Sequence, residues 1–130
     1  MKKENKNKKI LSIEDEPIIN LITARVLRAE GFEVDIADNG ITAKEMALNT
    51  RYHLYLCDIR TPAMNGMEFY QYLREIHPGH EKRIIFTTGD TMSQEIKVFL
   101  SSKNNLFLAK PFILEELRNV INKAQKIPRK

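Results

Sequence analysis

The chain has 130 residues and 42% hydrophobic content, enough for one domain with a buried core, and no apolar run long enough to span a membrane. A single cysteine, Cys57, excludes an internal disulfide and suits a reducing cytoplasm, and the lysine-rich start lacks the apolar segment of a secretory signal. Of the net +4, the first nine residues carry +4 and the last five +3, so the body between them carries −3. Residues 1–7 therefore read as a basic flexible tail, 8–126 as one domain and 127–130 as a C-terminal tail. No aromatics interleave with the tail lysines, so direct binding to nucleic acid is not expected.

In chain order, five strand-then-helix units follow. A strand at about 8–14 leads to Pro17, well placed in a first helical turn, and Ile18, Ile19, Leu21, Ile22, Val26 and Leu27 continue at helical spacing up to Gly31. A second strand, 33–37, ends at the turn and cap signal Asp38-Asn39-Gly40, with a helix to about 49. A third, 53–58, precedes the breaker-rich Thr61–Gly66 and a helix through Ile76. A fourth, 83–88, is followed by a thinly apolar helix at about 92–102, which Thr91 and Gln94 would start as a capping box. A fifth, 105–109, leads through Pro111 into an apolar-periodic stretch ending near Ala124. His77-Pro78-Gly79-His80 reads as a solvated turn rather than a metal site. Cys57 reads as core, since alternation turns it away from Asp58.

Alternating strands and helices with short links predict a parallel sheet covered on both faces. Right-handed crossovers bring the strands' carboxyl ends to one edge, where such folds bind ligands. Glu14, Asp15, Asp58, Thr88 and Lys110 all fall at that edge. Two carboxylates about 4 Å apart repel by about 4 kcal/mol at an effective dielectric near 20. A hard divalent cation offsets that repulsion, and Mg²⁺ suits carboxylate oxygens plus a phosphate.

Together Ile13-Glu14-Asp15-Glu16, Asp58 with Pro62 and Gly66, Thr88-Gly89 and Lys110-Pro111-Phe112 resemble the receiver domain of bacterial two-component phosphorelay signalling. The resemblance spans residues 8–126. It implies a flavodoxin-like three-layer α/β/α sandwich with a five-stranded parallel sheet of order 2-1-3-4-5 and five helices. It also implies that Asp58 accepts a phosphoryl group from a phosphohistidine of a sensor histidine kinase or phosphotransfer protein. Mg²⁺ would be held by Glu14, Asp15, Asp58 and the backbone carbonyl of Arg60. Thr88 and Lys110 would bind the phosphoryl group, and Thr88 and Phe107 would switch the surface of helix four, strand five and helix five. That surface could also carry a homodimer; the downstream effector is not identified by the residues. The chain would act in the cytoplasm and catalyse its own phosphorylation and dephosphorylation without being an enzyme in the usual sense. Segments such as Leu114-Glu115-Glu116-Leu117 are similar to receivers fused to hybrid histidine kinases.

The sequence departs from the common receiver pattern at Glu14, where Asp is frequent, at Arg60, at Thr61, where a large apolar residue is usual, and at Phe107, where Tyr is common. Arg60 and Asp90, each two residues beyond a site residue, are expected to meet at the mouth of the site. Three rival readings fit less well. A haloacid dehalogenase-type phosphatase needs a second Asp where Arg60 stands. A flavin or nucleotide binder needs a Gly-rich loop where Glu14-Asp15-Glu16-Pro17 stands. An interaction module without phosphorylation leaves the acids and Lys110 without a purpose.

Overall fold

Burial along the strands shows which of them are covered on both faces. The computed structural model describes residues 5–89 and 93–126. β3 (Leu54–Asp58) and β4 (Ile84–Thr88) are buried at every residue, and β1 (Lys9–Ile13) at all but the first. β2 (Glu33–Ala37) and β5 (Phe107–Ala109) bury only some of their residues, as edge strands do. All pair in parallel, in the order β2-β1-β3-β4-β5. The helices are α1 (Pro17–Ala29), α2 (Gly40–Asn49), α3 (Gly66–Ile76), α4 (Gln94–Ser102) and α5 (Leu114–Gln125). This is the parallel sheet covered on both faces that the alternating pattern predicts, in the flavodoxin-like order that the receiver resemblance implies.

Strand alternation divides the core into two. Ile10, Leu54, Leu56, Ile85 and Leu108 pack with Leu27 of α1 and with Leu117, Val120 and Ile121 of α5. On the other face Leu11, Ile13, Tyr55, Cys57, Ile84 and Phe86 pack with α2, α3 and Ile96 of α4. Cys57 is thus in the core opposite the face of Asp58, as alternation requires.

Local signals set most boundaries. Pro17 is the first residue of α1, and Gly31 follows its end at φ 103°, a conformation that costs Gly nothing. Asn39 caps α2 by accepting from the Thr42 N–H at 2.9 Å. Asn65 and Glu68 form a capping box on α3 that the sequence reading did not identify. A Cβ on Gly66 would come within 2.9 Å of the Ile59 backbone and 3.1 Å of the Phe86 ring, so the β3–α3 loop can turn back there only over Gly.

Several expectations need correction. β5 begins at Phe107 rather than 105, because Asn105 is tied through its side chain to the Glu81 and Ile84 carbonyls at 2.9 and 2.8 Å. α5 begins at Leu114, three residues after Pro111, where Glu116 reaches back to the Ile113 N–H at 2.9 Å. Ser93 caps α4, accepting from the Ile96 N–H at 3.2 Å; the cap expected at Thr91 lies outside the described residues. Asn5, assigned to the tail, is buried, and its amide donates to the Glu30 carbonyl at 2.6 Å. His77 and His80 are also buried, not solvated. His77 Nε2–H donates to the Ala47 carbonyl at 2.8 Å, and His80 Nδ1 lies 2.9 Å from the Tyr55 hydroxyl. The turn after α3 folds under the amino ends of β3 and β4 and closes the core there with imidazoles.

Candidate functional site

Because the sheet is parallel, the carboxyl ends of β1, β3, β4 and β5 share an edge. Asp58 ends β3, 7% exposed, next to Ile13 and Cys57 in the register that pairs β1 with β3. Glu14 directly follows β1 and is 4% exposed; its N–H donates to the Ala37 carbonyl at 3.1 Å, extending the ladder by one residue. Asp15, one residue on, is exposed. Carboxylate oxygens of Glu14, Asp15 and Asp58 all lie within 4.8 Å of one another.

Lys110 enters from the end of β5, its N–H bound to the Thr88 carbonyl at 2.7 Å. Its ammonium lies 2.8 Å from Asp58 Oδ2 and 2.5 Å from Glu14 Oε1. The second Asp58 oxygen, Oδ1, accepts from the Arg60 N–H at 3.0 Å. Glu14 Oε2 faces the Glu16 N–H at 3.3 Å. Burial, opposed by the Lys110 hydrogen bond and reinforced by the Asp58 charge, raises the Glu14 pKa to about 7. Burial alone would lower the Lys110 pKa, but its bonds to Asp58 and Glu14 outweigh this and hold it above the usual value. The cluster is thus an acidic pocket in which Lys110 neutralises part of the charge. Its donors are all carboxylate oxygens, the chemistry that fits Mg²⁺ rather than a soft metal.

Thr88 ends β4 at the same edge and is 1% exposed. The register pairs Asp58 with Thr87 and Thr88 with Ala109, so Thr88 stands one residue further along and joins the cluster through its carbonyl. Phe107 is 52% exposed, in an outward position. Arg60 is exposed; Asp90, its expected neighbour, lies outside the described residues. A groove of about 410 Å³ opens beside Lys110, lined by Ile19, Ile22 and Thr23 of α1 with Pro111 and Phe112.

The sequence reading passed over Asn20, which is 3% exposed on α1 and bonded to both Ser12 and the Glu14 carbonyl. Its signal was an amide at a position spaced three, four and seven residues from Thr23, Ala24 and Leu27, the buried stripe of that helix.

Comparison with known proteins agrees with this arrangement. Residues 10–122 match the response regulator receiver domain. The chain is 30% identical over 118 residues to sporulation initiation phosphotransferase F of Bacillus subtilis, covering 90% of this chain and 93% of that protein. It is 32% identical over 123 residues to hybrid signal transduction histidine kinase K of Dictyostelium discoideum, covering 89% of this chain but 10% of that protein. It likewise spans 18% of a Saccharomyces cerevisiae transcription factor, so it corresponds to only a small part of such relatives. Among solved structures, it is similar to the receiver domain of a sensor histidine kinase from Pseudomonas aeruginosa PAO1, which has a magnesium ion coordinated in the active-site cleft. The TM-score is 0.77 at 28% identity, covering 89% of this chain and 95% of that one. A CheY-like receiver domain protein from Methanospirillum hungatei JF-1 gives 0.80 at 30% identity, covering 92% and 94%. With a parallel sheet of this order and an acidic pocket at its carboxyl edge, the chain belongs to the response regulator receiver domain family of two-component signalling.

Proposed function

We propose that Asp58 is the phosphoacceptor, taking a phosphoryl group from a phosphohistidine of a sensor histidine kinase or phosphotransfer protein. The observation that carries this reading is the placement of Asp58: nearly buried, at the end of a central strand, with Lys110 on one oxygen and the Arg60 N–H on the other. A carboxylate oxygen attacks phosphorus in line, the P–N bond breaks, and its electron pair stays on the imidazole nitrogen. The product is an acyl phosphate. There is little covalent work for the protein beyond positioning and charge neutralisation. Lys110 supplies a fixed positive charge for the incoming oxygens, and Thr88 supplies a hydroxyl donor.

Glu14, Asp15, Asp58 and the Arg60 carbonyl would hold Mg²⁺, a reading supported by the close approach of the three carboxylates. When bound, the ion neutralises charge on the acids and on the transferring group. Attack of water on the phosphorus at the same site, with cleavage of the P–O bond to Asp58 and release of inorganic phosphate, makes the chain catalyse its own dephosphorylation. The groove beside Lys110 and the exposed Ile18, Leu21 and Ile22 of α1 offer an apolar surface for the phosphohistidine-bearing partner. Phosphorylation then shifts Thr88 and Phe107 and alters the surface of α4, β5 and α5, which also serves for homodimer contact. No helix among the described residues is long and apolar enough to cross a membrane. We assign the chain to the cytoplasm on its membership of a family that takes phosphoryl groups from kinases, and on its one cysteine being a buried free thiol.

The test is intact mass after incubation with Mg²⁺ and acetyl phosphate. A gain of one phosphoryl group is expected for the wild type and none for Asp58→Asn or in EDTA. Labelling of Asp58→Asn at the wild-type rate would sink the assignment.

A further inference from the structure

Asn is a poor helix residue, and in the first turns of a buried stripe it needs partners for its amide. Asn20 finds them on β1. Ser12 Oγ donates to Asn20 Oδ1 at 2.8 Å, and Asn20 Nδ2 donates to the Glu14 carbonyl at 2.5 Å. The orientation of the amide follows from chemistry. A carbonyl can only accept, so the NH₂ end must face Glu14, and the hydroxyl of Ser12 is left to donate to the oxygen end.

The bond falls where the sheet stops. Ile13 is the last residue of β1 paired with either neighbour, and the Glu14 N–H makes one further ladder bond to Ala37. The Glu14 carbonyl lies past that point, and the amide of Asn20 stands in for a strand. That carbonyl and the Asp15 N–H belong to one rigid peptide plane, so anchoring the carbonyl also sets the direction in which Asp15 leaves.

We infer that Asn20, held by Ser12, is a positioning residue for the acid cluster: by fixing the Glu14–Asp15 peptide it keeps both carboxylates beside Asp58, and that of Glu14 on Lys110. The inference rests on the reading of these acids as a Mg²⁺ site. Neither Asn20 nor Ser12 touches the ion or the phosphoryl group; they act through the backbone. An Asp at position 20 would offer only acceptors to a carbonyl and add a charge beside three others, so the role is specific to an amide.

The experiment is a Mg²⁺ titration of the full chain followed by amide NMR, for the wild type, Asn20→Leu, Ser12→Ala and Ala24→Gly. Asn20→Leu keeps the branching and the number of heavy atoms of the side chain and removes both bonds. Ala24→Gly loosens the same helix without touching Ser12 or Glu14. By analogy with other groups that orient metal ligands, the Mg²⁺ Kd should rise about tenfold in Asn20→Leu and about threefold in Ser12→Ala. It should stay at the wild-type value in Ala24→Gly. In metal-free protein the Asp15 amide signal should move in the first two variants and not in the third. Should Asn20→Leu fail to fold, Ser12→Ala decides alone. Wild-type Mg²⁺ affinity in Asn20→Leu and Ser12→Ala overturns the inference, as does an equal loss in Ala24→Gly. A wild-type chain that binds no Mg²⁺ overturns the proposed function and this inference with it.

Discussion

Lys110 and Asp58, separated by 52 positions in the chain, are joined by a hydrogen-bonded ion pair of 2.8 Å, and the same ammonium also holds Glu14. Without a metal ion, Lys110 serves as a counter-ion to both carboxylates. Removing it leaves two nearly buried carboxylates facing each other.

Lys110→Met, which keeps most of the apolar stem, should therefore destabilise the metal-free protein by about 2 kcal/mol. Mg²⁺ should recover much of that loss while leaving phosphorylation by acetyl phosphate slow. Urea unfolding with and without Mg²⁺ checks this. Equal stability of the two proteins in EDTA would contradict the counter-ion role.

The raised Glu14 pKa, caused first by burial and then by the Asp58 charge against the Lys110 bond, has a definite sign for stability. The folded state holds this proton more tightly than the unfolded chain, in which the group titrates near 4.5. Its contribution is fully present below pH 4.5 and is lost as pH rises through about 7. Metal-free wild type should lose up to about 3 kcal/mol over that window relative to Glu14→Gln. Mg²⁺ should flatten the difference, because the ion and the proton compete. Parallel stability curves for the two proteins in EDTA would refute the shift.

Burial pushes the Cys57 thiol up to about 12, and its Sγ faces the Asp58 carbonyl at 3.5 Å. At pH 8 the thiol is protonated and enclosed, so a disulfide reagent should react at least about a hundredfold slower with native protein than with urea-unfolded protein. A native rate comparable to the unfolded one would mean that β3 opens readily.

The outward Phe107 and buried Thr88 set up the switch experiment. Adding beryllofluoride and Mg²⁺ should move amide signals in β5 and α4 as well as around Asp58. α4 buries only Ile96 fully, which suits an element of low local stability. Thr88→Ala should confine the changes to the residues around Asp58. If the wild-type changes are equally confined, the chain acts as a phosphoryl carrier without a switched surface.

Alternation of strand and helix, the helix-end signals at Pro17, Asn39 and Gly31, and the placement of Glu14, Asp15, Asp58, Thr88 and Lys110 at one sheet edge were legible from residues alone. Each of these is encoded within a few neighbours, as a period, a cap or a strand end, and parallel crossovers then bring strand ends to one edge. What tertiary structure decided was pairing between distant segments. That Lys110 takes Glu14 and Asp58 and leaves Asp15 exposed goes with where each leaves its strand: Asp58 ends β3 and Glu14 follows β1 directly, while Asp15 stands one residue further out. Asn20 meets the Glu14 carbonyl because α1 crosses back over β1. His77 and His80 are buried although Pro and Gly lie between them, since the turn tucks beneath Tyr55 and Ala47. No local pattern distinguishes a solvated turn from one that closes a core; only the packing around it does.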